Sequence, residues 1–309
     1  MQRRRIGSLE VSEVGLGCNN FGPRIDFDAS AAVVHAALDA GIDFFDTADV
    51  YGKGTSEEFL GRALGGRRDD VVIATKFGMK MDEQRRGARP EYIRQAAEDS
   101  LRRLGTDHID LYQLHTPDPD VPIADTLGAL NELVQAGKVR EIGCSNFTVA
   151  QIDEAEAVAE RRGTARFVSV QNQYSLLHRE PERGVLAECE RLGLAFIPFF
   201  PLASGLLTGK YRRGAPLPSG TRISNSPRYA SLLSEENLER VEALRRFAES
   251  RGHSLLDLAF SWLLAHPVVA SVIAGATKPE QVRANVAAAS WRLDAADLGA
   301  IDDLVPVNA

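Results

Sequence analysis

Short β-rich apolar runs alternate with longer segments of helical period along the whole chain, and no other feature limits the possible folds so tightly. The runs are residues 14–17, 42–45, 71–75, 109–114, 139–144, 167–171, 195–199 and 270–273. Between them, 28–40, 56–64, 90–104, 125–136, 149–161, 181–192, 235–251 and 279–289 carry apolar positions at helical spacing. Several of these segments open on a capping residue or a proline and end near a glycine, as Asp28 with Gly41, Pro90 with Gly105 and Thr148 with Gly163. A helix between two strands returns the chain to the same end of a sheet, so consecutive strands run parallel. Eight such units close an α/β fold into a (β/α)8 TIM barrel. No Ser/Gly/Pro linker or charge block divides the chain, so residues 1–309 read as a single domain.

Three pieces lie outside the repeat. Residues 3–6 and 9–11, joined through Gly7 and Ser8, read as an N-terminal hairpin that plugs the bottom of the barrel. Residues 203–230, after strand seven, form a long loop rich in Gly, Pro and Ser, expected to act as a lid. Residues 254–266 form an extra apolar helix expected to pack beneath that loop, and the tail after Asp294 holds one short helix.

Charge and cysteine content exclude several functions. A net charge of -7 with mixed signs offers no basic face for nucleic acid. The most apolar segment, 255–264, is too short to span a bilayer, and residues 1–15 lack the apolar stretch of a secretory signal. A cytoplasmic location with no membrane partner is the expectation. Cys18, Cys144 and Cys189 are widely spaced and form no C-x-x-C pair, which fits reduced thiols rather than a disulfide framework or zinc site.

Four chemically active side chains sit at the ends of three successive apolar runs: Asp46 and Tyr51 after GIDFF, Lys76 after VVIAT, and His115 after HIDLYQL. Asp46, Lys76 and His115 are spaced by 30 and 39 residues, each about one strand plus one helix, so a parallel barrel brings all four to one rim. Active sites of such barrels lie at the C-terminal ends of the strands. Any one of these residues alone would be an ordinary cap, packed ring or solvated charge; four at matching strand ends form a pattern.

The words around them, GIDFFDTADVYG, ATKFG, DLYQLHTPDP and IGCSNF, together with QNQYSLLHR, PLASGLLTGKY and VIAGATKPEQVRAN, resemble the aldo-keto reductase family over essentially the whole chain. The resemblance implies hydride transfer between a nicotinamide cofactor and a carbonyl without metal, with Asp46, Tyr51, Lys76 and His115 matching the family's catalytic four. The residue chemistry agrees. A proton donor at the oxygen of a carbonyl receiving hydride accelerates the step by a factor of about 100 to 10,000. Tyr51 is the candidate donor, and a free tyrosine has a pKa of about 10. An ammonium such as Lys76 about 4 Å away contributes roughly 4 kcal/mol at an effective dielectric near 20, a downward shift of up to about three units before desolvation opposes it. Asp46 would keep Lys76 charged and aimed. His115 would donate a hydrogen bond to the same oxygen.

GLGCNNFG does not satisfy G-x-G-x-x-G and no helix opens there, so the cofactor is not held in the Rossmann manner. The resemblance implies instead that Ser145, Asn146 and Gln171 bind the nicotinamide carboxamide and that Phe199 lies against the ring. In GATKPEQVRAN, Gly275 and Ala276 read as a turn, Thr277 as a helix cap and Pro279 as first-turn proline, so free amides face the phosphate on the adenosine ribose, with Lys278 adding charge. Gln281 and Asn285 match positions contacting this end of the cofactor in members related to channel β subunits. Other branches have arginine where Gln281 stands; NADPH remains the expected cofactor over NADH. Lys210 and Arg222 in the long loop are placed to close over the pyrophosphate. Phe200 stands where relatives have serine, so one cofactor contact is lost.

The short tail predicts an open mouth, lined by Phe21, Phe77 and Met79 and suited to aldehydes or ketones with an apolar or aromatic part. The expected partner is therefore a small-molecule carbonyl substrate; the sequence does not define the oligomer. A second reading is a nicotinamide-sensing binding module resembling the channel β subunits. A third is a lyase or isomerase using Lys76 as a Schiff-base nucleophile, disfavoured by Asp46 and Tyr51 beside it.

Overall fold

The computed structural model describes residues 1–224 and 227–307 of the chain; of the expected loop at 203–230, residues 225 and 226 lie outside this set, as do the last two residues of the tail. Two antiparallel strands, β1 (Arg3–Ile6) and β2 (Leu9–Ser12), precede the barrel. Eight parallel strands follow: β3 (Val14–Gly17), β4 (Phe44–Asp46), β5 (Val72–Phe77), β6 (Ile109–Leu114), β7 (Val139–Ser145), β8 (Phe167–Gln171), β9 (Ala195–Phe196) and β10 (Val272–Gly275). Each of β3 to β8 pairs with the next, and β10 pairs with β3. The ring closes because the chain before β10 changes partner: Ala270 N donates to Phe196 O at 2.9 Å, and Val272 N then donates to Glu13 O at 2.9 Å.

Strand β9 is shorter than the expected 195–199. Pro198 has no amide hydrogen to give the neighbour on the β10 side, while Ile197 N and Phe199 N still donate to Val170 O at 2.9 Å and to Asn172 O at 3.0 Å on the β8 side. Strands β4 and β5 run further than expected and contain Asp46 and Lys76. A buried, paired charge can continue a strand when the barrel interior supplies its partner.

The helices surround the barrel: α1 (Phe27–Asp39), α2 (Thr55–Leu64), α3 (Pro90–Leu104), α4 (Ile123–Gln135), α5 (Val149–Arg162), α6 (Val185–Leu192), α7 (Glu235–Ser250), α8 (Leu255–Leu264), α9 (Pro279–Ala288) and α10 (Ala295–Leu304). Thr148 and Gln151 form a reciprocal capping box at α5, and Gly105 and Gly163 close α3 and α5 in the left-handed conformation. The cap of α1 is Asp26, not Asp28: its carboxylate accepts from Ala29 N at 3.0 Å.

Strand alternation divides the core in two. Phe44, Ala74, Leu111, Ala195, Ile197, Ala270 and Ile273 face inward, and Ile6, Leu9 and Val11 of the hairpin join them, closing the bottom of the barrel. Arg4 fastens this plug, donating to Leu264 O at 2.6 Å. A larger layer packs strands against helices and includes α8, where Leu258, Phe260 and Leu263 are fully buried. No helix among the described residues is long and apolar enough to cross a membrane. The three cysteines are free and buried.

Candidate active site

Period-two alternation decides which side chains reach the barrel mouth. In β5, Ala74 faces the inner core while Ile73 and Phe77 join the outer layer, so Lys76 points inward. The same parity sends Asp46 of β4 inward, and His115 follows β6 directly. The Lys76 ammonium, wholly buried, donates to Asp46 Oδ1 at 2.6 Å and to Thr47 O at 2.8 Å. Asp46 Oδ2 accepts from Gln171 Nε2 at 2.8 Å. A buried ion pair is tolerable when its remaining hydrogen-bonding capacity is met in this way. Burial acts to lower the Lys76 pKa, but Asp46 and Tyr51 outweigh it and the net shift is upward, so Lys76 stays charged.

Tyr51 stands on the short turn after β4, which Gly52 and Gly54 allow by adopting positive φ. Lys76 Nζ lies 5.3 Å from the centre of its ring, and the His115 ring meets it edge-on at 5.8 Å and 83°. The expected net lowering of the Tyr51 pKa is corrected here. Burial raises it by more than the charge and hydrogen bonding of Lys76 lower it, and Asp46 adds to the rise. The phenol therefore holds its proton firmly, with Lys76 beside it to stabilise the phenolate that proton release leaves.

Burial first and Lys76 second push the His115 pKa down to about 3, so the imidazole is neutral at physiological pH. Its Nδ1 is buried without a hydrogen-bond partner, which leaves Nε2 as the nitrogen free to engage a ligand. Asn146, at φ 63°, donates from Nδ2 to His115 O at 3.0 Å and to Ser145 Oγ at 3.1 Å. Ser145 in turn donates to Gln171 O at 2.6 Å. Ser145, Asn146 and Gln171 thus join the catalytic candidates in one network, with half-exposed Phe199 at the same mouth.

Phe21 and Phe77 do not line that mouth. Both are wholly buried in the outer layer, and Phe77 packs on Tyr112 at 4.8 Å. If Lys76 faces inward, its neighbour must face outward, so the sequence itself held this correction. Met79 is 41% exposed on the loop after β5.

A second cluster lies where the long loop crosses the rim. Arg222 donates to Asn20 Oδ1 at 2.7 Å and Asn19 Oδ1 at 3.3 Å, and Asn20 Nδ2 donates to Ala276 O at 3.1 Å. Lys210 is pulled down in pKa by burial and then by the positive charges of Arg24 and Arg222; Arg222 is lowered by burial and by Arg24. None of the three has a carboxylate partner within salt-bridge distance among the described residues. Lys210 lies across Gly205, where a Cβ would approach its Nζ to 2.8 Å and where φ is 98°. Arg24, Asn19, Asn20 and Gly205 were not singled out in the sequence; the available signal was that the loop after β3 also belongs to the rim.

The loop is anchored by Leu206, Leu207, Tyr211 and Ile223, all buried. Gly275 ends β10, and Ala276 is buried at the start of the turn. The N-cap of α9 is Lys278, not Thr277; Gln281 Oε1 reaches back to accept from Thr277 N at 2.7 Å. Gln281 thereby occupies one of the amides expected to face an anion. Lys278 is exposed, Pro279 begins α9 and Asn285 is buried.

The model of the Aldo/keto reductase family matches residues 13–306. Aldo-keto reductase YhdN of Bacillus subtilis is 37% identical over 94% of this chain and 88% of its own, and a probable voltage-gated potassium channel subunit beta of Oryza sativa subsp. japonica is 36% identical over 93% and 91%. Among solved structures, glycerol dehydrogenase AKR11B4 from Gluconobacter oxydans superposes with TM-score 0.85 at 34% identity, covering 99% of this chain and 97% of that one. Aldo-keto reductase AKR11C1 from Bacillus halodurans, in its holo form, gives 0.80 at 34% identity, covering 100% and 97%. The chain belongs to the aldo/keto reductase family of oxidoreductases.

Proposed function

We propose that this protein reduces aldehydes or ketones to alcohols with NADPH, in the cytoplasm. The observation that carries the reading is the meeting of the Asp46–Lys76 pair, a protonated Tyr51 and a neutral His115 at one point of the barrel mouth. The residues around it fit a dinucleotide. Arg24, Lys210 and Arg222 gather positive charge without carboxylate partners, which suits phosphates, and Ser145, Asn146, Gln171 and Phe199 sit beside the catalytic group, as a nicotinamide requires. Lys278, Gln281 and Asn285 would meet the adenosine end, with exposed Lys278 favouring the extra phosphate of NADPH.

A nicotinamide cofactor held by these residues would supply hydride for the carbonyl carbon. His115 Nε2–H holds the carbonyl oxygen and opposes the charge that grows on it. Tyr51 delivers its proton to that oxygen, giving the alcohol, and Lys76 stabilises the phenolate until solvent restores the proton. Asp46 keeps Lys76 charged and oriented, and Gln171 holds Asp46. The glycerol dehydrogenase named in the comparison also supports hydride exchange between a carbonyl and an alcohol.

Fluorescence titration with NADPH and NADH, followed by steady-state reduction of an aldehyde panel, tests the reading. Tighter NADPH binding and multiple turnovers are expected; no turnover with either cofactor overturns it. The channel-subunit relative supports a second reading, a cofactor-sensing module, which predicts one slow oxidation of bound cofactor and no further cycles.

A further inference from the structure

The turn that carries Tyr51 is held from outside itself. Gly52, Lys53 and Gly54 follow Tyr51 with φ of 60°, 57° and 99°, three successive residues in the left-handed region, and Lys53 lacks the freedom of its glycine neighbours. Behind the turn, α2 starts at Thr55 and packs on α3. The Arg103 stem of α3 fills the space beside Gly54, where a Cβ would come within 2.6 Å of Arg103 Cδ. Arg103 Nε donates to Glu57 Oε2 at 2.6 Å, and Thr75 Oγ1 donates to Glu57 Oε1 at 2.6 Å. Thr75 precedes Lys76 and so faces the helices. Glu57, wholly buried, thereby ties the helix after the turn to the strand that carries the ammonium.

Asp49 is the other carboxyl of this cluster and is not met in this way. It precedes Tyr51 by two residues, is 1% exposed, and its backbone N donates to Lys76 O at 3.2 Å. Tyr92 Oη of α3 donates to Oδ2 at 3.4 Å, a long bond, and Oδ1 has no partner. Tyr112 Oη of β6, buried close enough to feel the charge of Asp49 and Glu57, has none either. Two carboxyls and two phenols thus share one guanidinium, and Arg103 is spent on Glu57. Arg85, on the loop after β5, acts on Tyr92 and is itself paired with Asp82.

Burial and then Glu57 raise the Asp49 pKa to about 7, against Val50 N, Arg103 and Tyr92. Burial and then Asp49 push both phenols up, so Tyr92 and Tyr112 stay uncharged. On the inner side of the wall, Tyr51 and Lys76 are raised and His115 is held at about 3, so none of these three changes charge between pH 6 and 8.

We infer that Asp49 is a positioning residue for proton transfer: uncharged, it lets the cluster hold the Tyr51 turn in its reactive place, and charged, it repels Glu57 across the base of that turn and draws the Tyr51 hydroxyl off the carbonyl oxygen. The inference rests on the reductase reading above and adds to it a residue that touches neither substrate nor cofactor.

Hydride transfer from saturating NADPH to butanal is followed in single turnovers by stopped flow, which leaves product release out of the measurement. In the parent the rate is expected to fall about fivefold from pH 6 to pH 8, the scale of a displacement well under 1 Å. Asp49→Asn keeps the shape and cannot ionise, so the fall should vanish. Glu57→Gln removes the neighbouring negative charge and should move the midpoint of the fall down by about half a unit to one unit; Tyr92→Phe removes the donor to Asp49 and should move it up by about half a unit. Simple loosening of the turn would lower the rate without shifting the midpoint in opposite directions. A flat profile in the parent, a fall that survives in Asp49→Asn, or midpoints that do not separate in this order overturns the inference. If Asp49→Asn does not fold, Glu57→Gln and Tyr92→Phe decide. Butanal turnover by the parent at pH 6 keeps the two proposals apart: with it, any of these failures removes only the role of Asp49; without it, the reductase reading fails and the positioning role with it.

Discussion

The mouth of the barrel at β4 to β6 and the rim crossed by the long loop both concentrate charge, but they treat it in opposite ways. At β4 and β5 each charge is met: Lys76 has Asp46 and Thr47 O, and Asp46 has Lys76 and Gln171. On the rim, Arg24, Lys210 and Arg222 gather together, and among the described residues asparagine oxygens are the acceptors for Arg222. A site that is complete by itself is built to act, and one left with surplus charge is built to receive a counter-charge from outside. On the proposed reading, the same fold separates proton handling from anion capture.

The comparison breaks most visibly at Tyr51. Tyr51→Phe removes the transferable proton and leaves the ring, so kcat is expected to fall by a factor of about 100 to 10,000 while NADPH affinity is retained. Stopped-flow or steady-state assay beside a fluorescence titration measures both; activity near the parent's refutes the donor assignment. Lys76→Met strikes the paired side differently. It strands the Asp46 carboxylate in the barrel, at an expected cost of about 3 to 5 kcal/mol in unfolding free energy as well as turnover. Urea unfolding reads that loss, and a variant as stable as the parent would show that Asp46 does not depend on its partner.

On the surplus side the expected effect is smaller and has the opposite sign for stability. Arg222→Ala relieves repulsion with Lys210 and Arg24, so the free protein is not destabilised by the lost charge. NADPH affinity is expected to fall about tenfold, the scale of one charge-assisted hydrogen bond, with a weaker salt dependence than the parent's. Titration at two ionic strengths distinguishes this from loss of packing, which would leave the salt dependence unchanged.

The barrel, the plug and the four rim residues were legible because periodicity and spacing report them directly. Pro90 to Leu104 of α3 and Ile109 to Leu114 of β6 fall where the apolar pattern places them. Strand ends were harder. Asp46 and Lys76 look like the close of an apolar run, yet the ladder continues through them because their partners come from strands 30 and 125 residues away, which no local pattern contains. Phe77 was legible in principle, by parity with Lys76. Thr277 looked like a cap because hydroxyl residues favour that position, and the competing reach of Gln281 appears only in three dimensions. Arg24 is exposed and far in sequence from Lys210 and Arg222, and its one signal was that the loop after β3 shares their rim.

The smallest effect concerns Asp49, a charge on the paired side that is not fully met. It lies two residues before Tyr51 and is 1% exposed; its backbone N donates to Lys76 O at 3.2 Å, Tyr92 Oη donates to Oδ2 only at 3.4 Å, and Oδ1 has no partner. Burial, and then nearby Glu57, raise its pKa to about 7, with Val50 N, Arg103 and Tyr92 opposing. A carboxyl whose folded pKa is raised contributes stability in full below its unfolded pKa, and that contribution is lost as pH rises through about 7. Between pH 6 and 8 the expected loss is about 1 kcal/mol, or about 2 °C in Tm for a domain of this size. Asp49→Asn keeps the shape and cannot ionise, so its stability should decline less than the parent's across that interval. Thermal unfolding of both proteins at the two pH values gives the difference. Equal slopes would mean that Asp49 is ionised throughout and that its charge, like those of Asp46 and Lys76, is met after all.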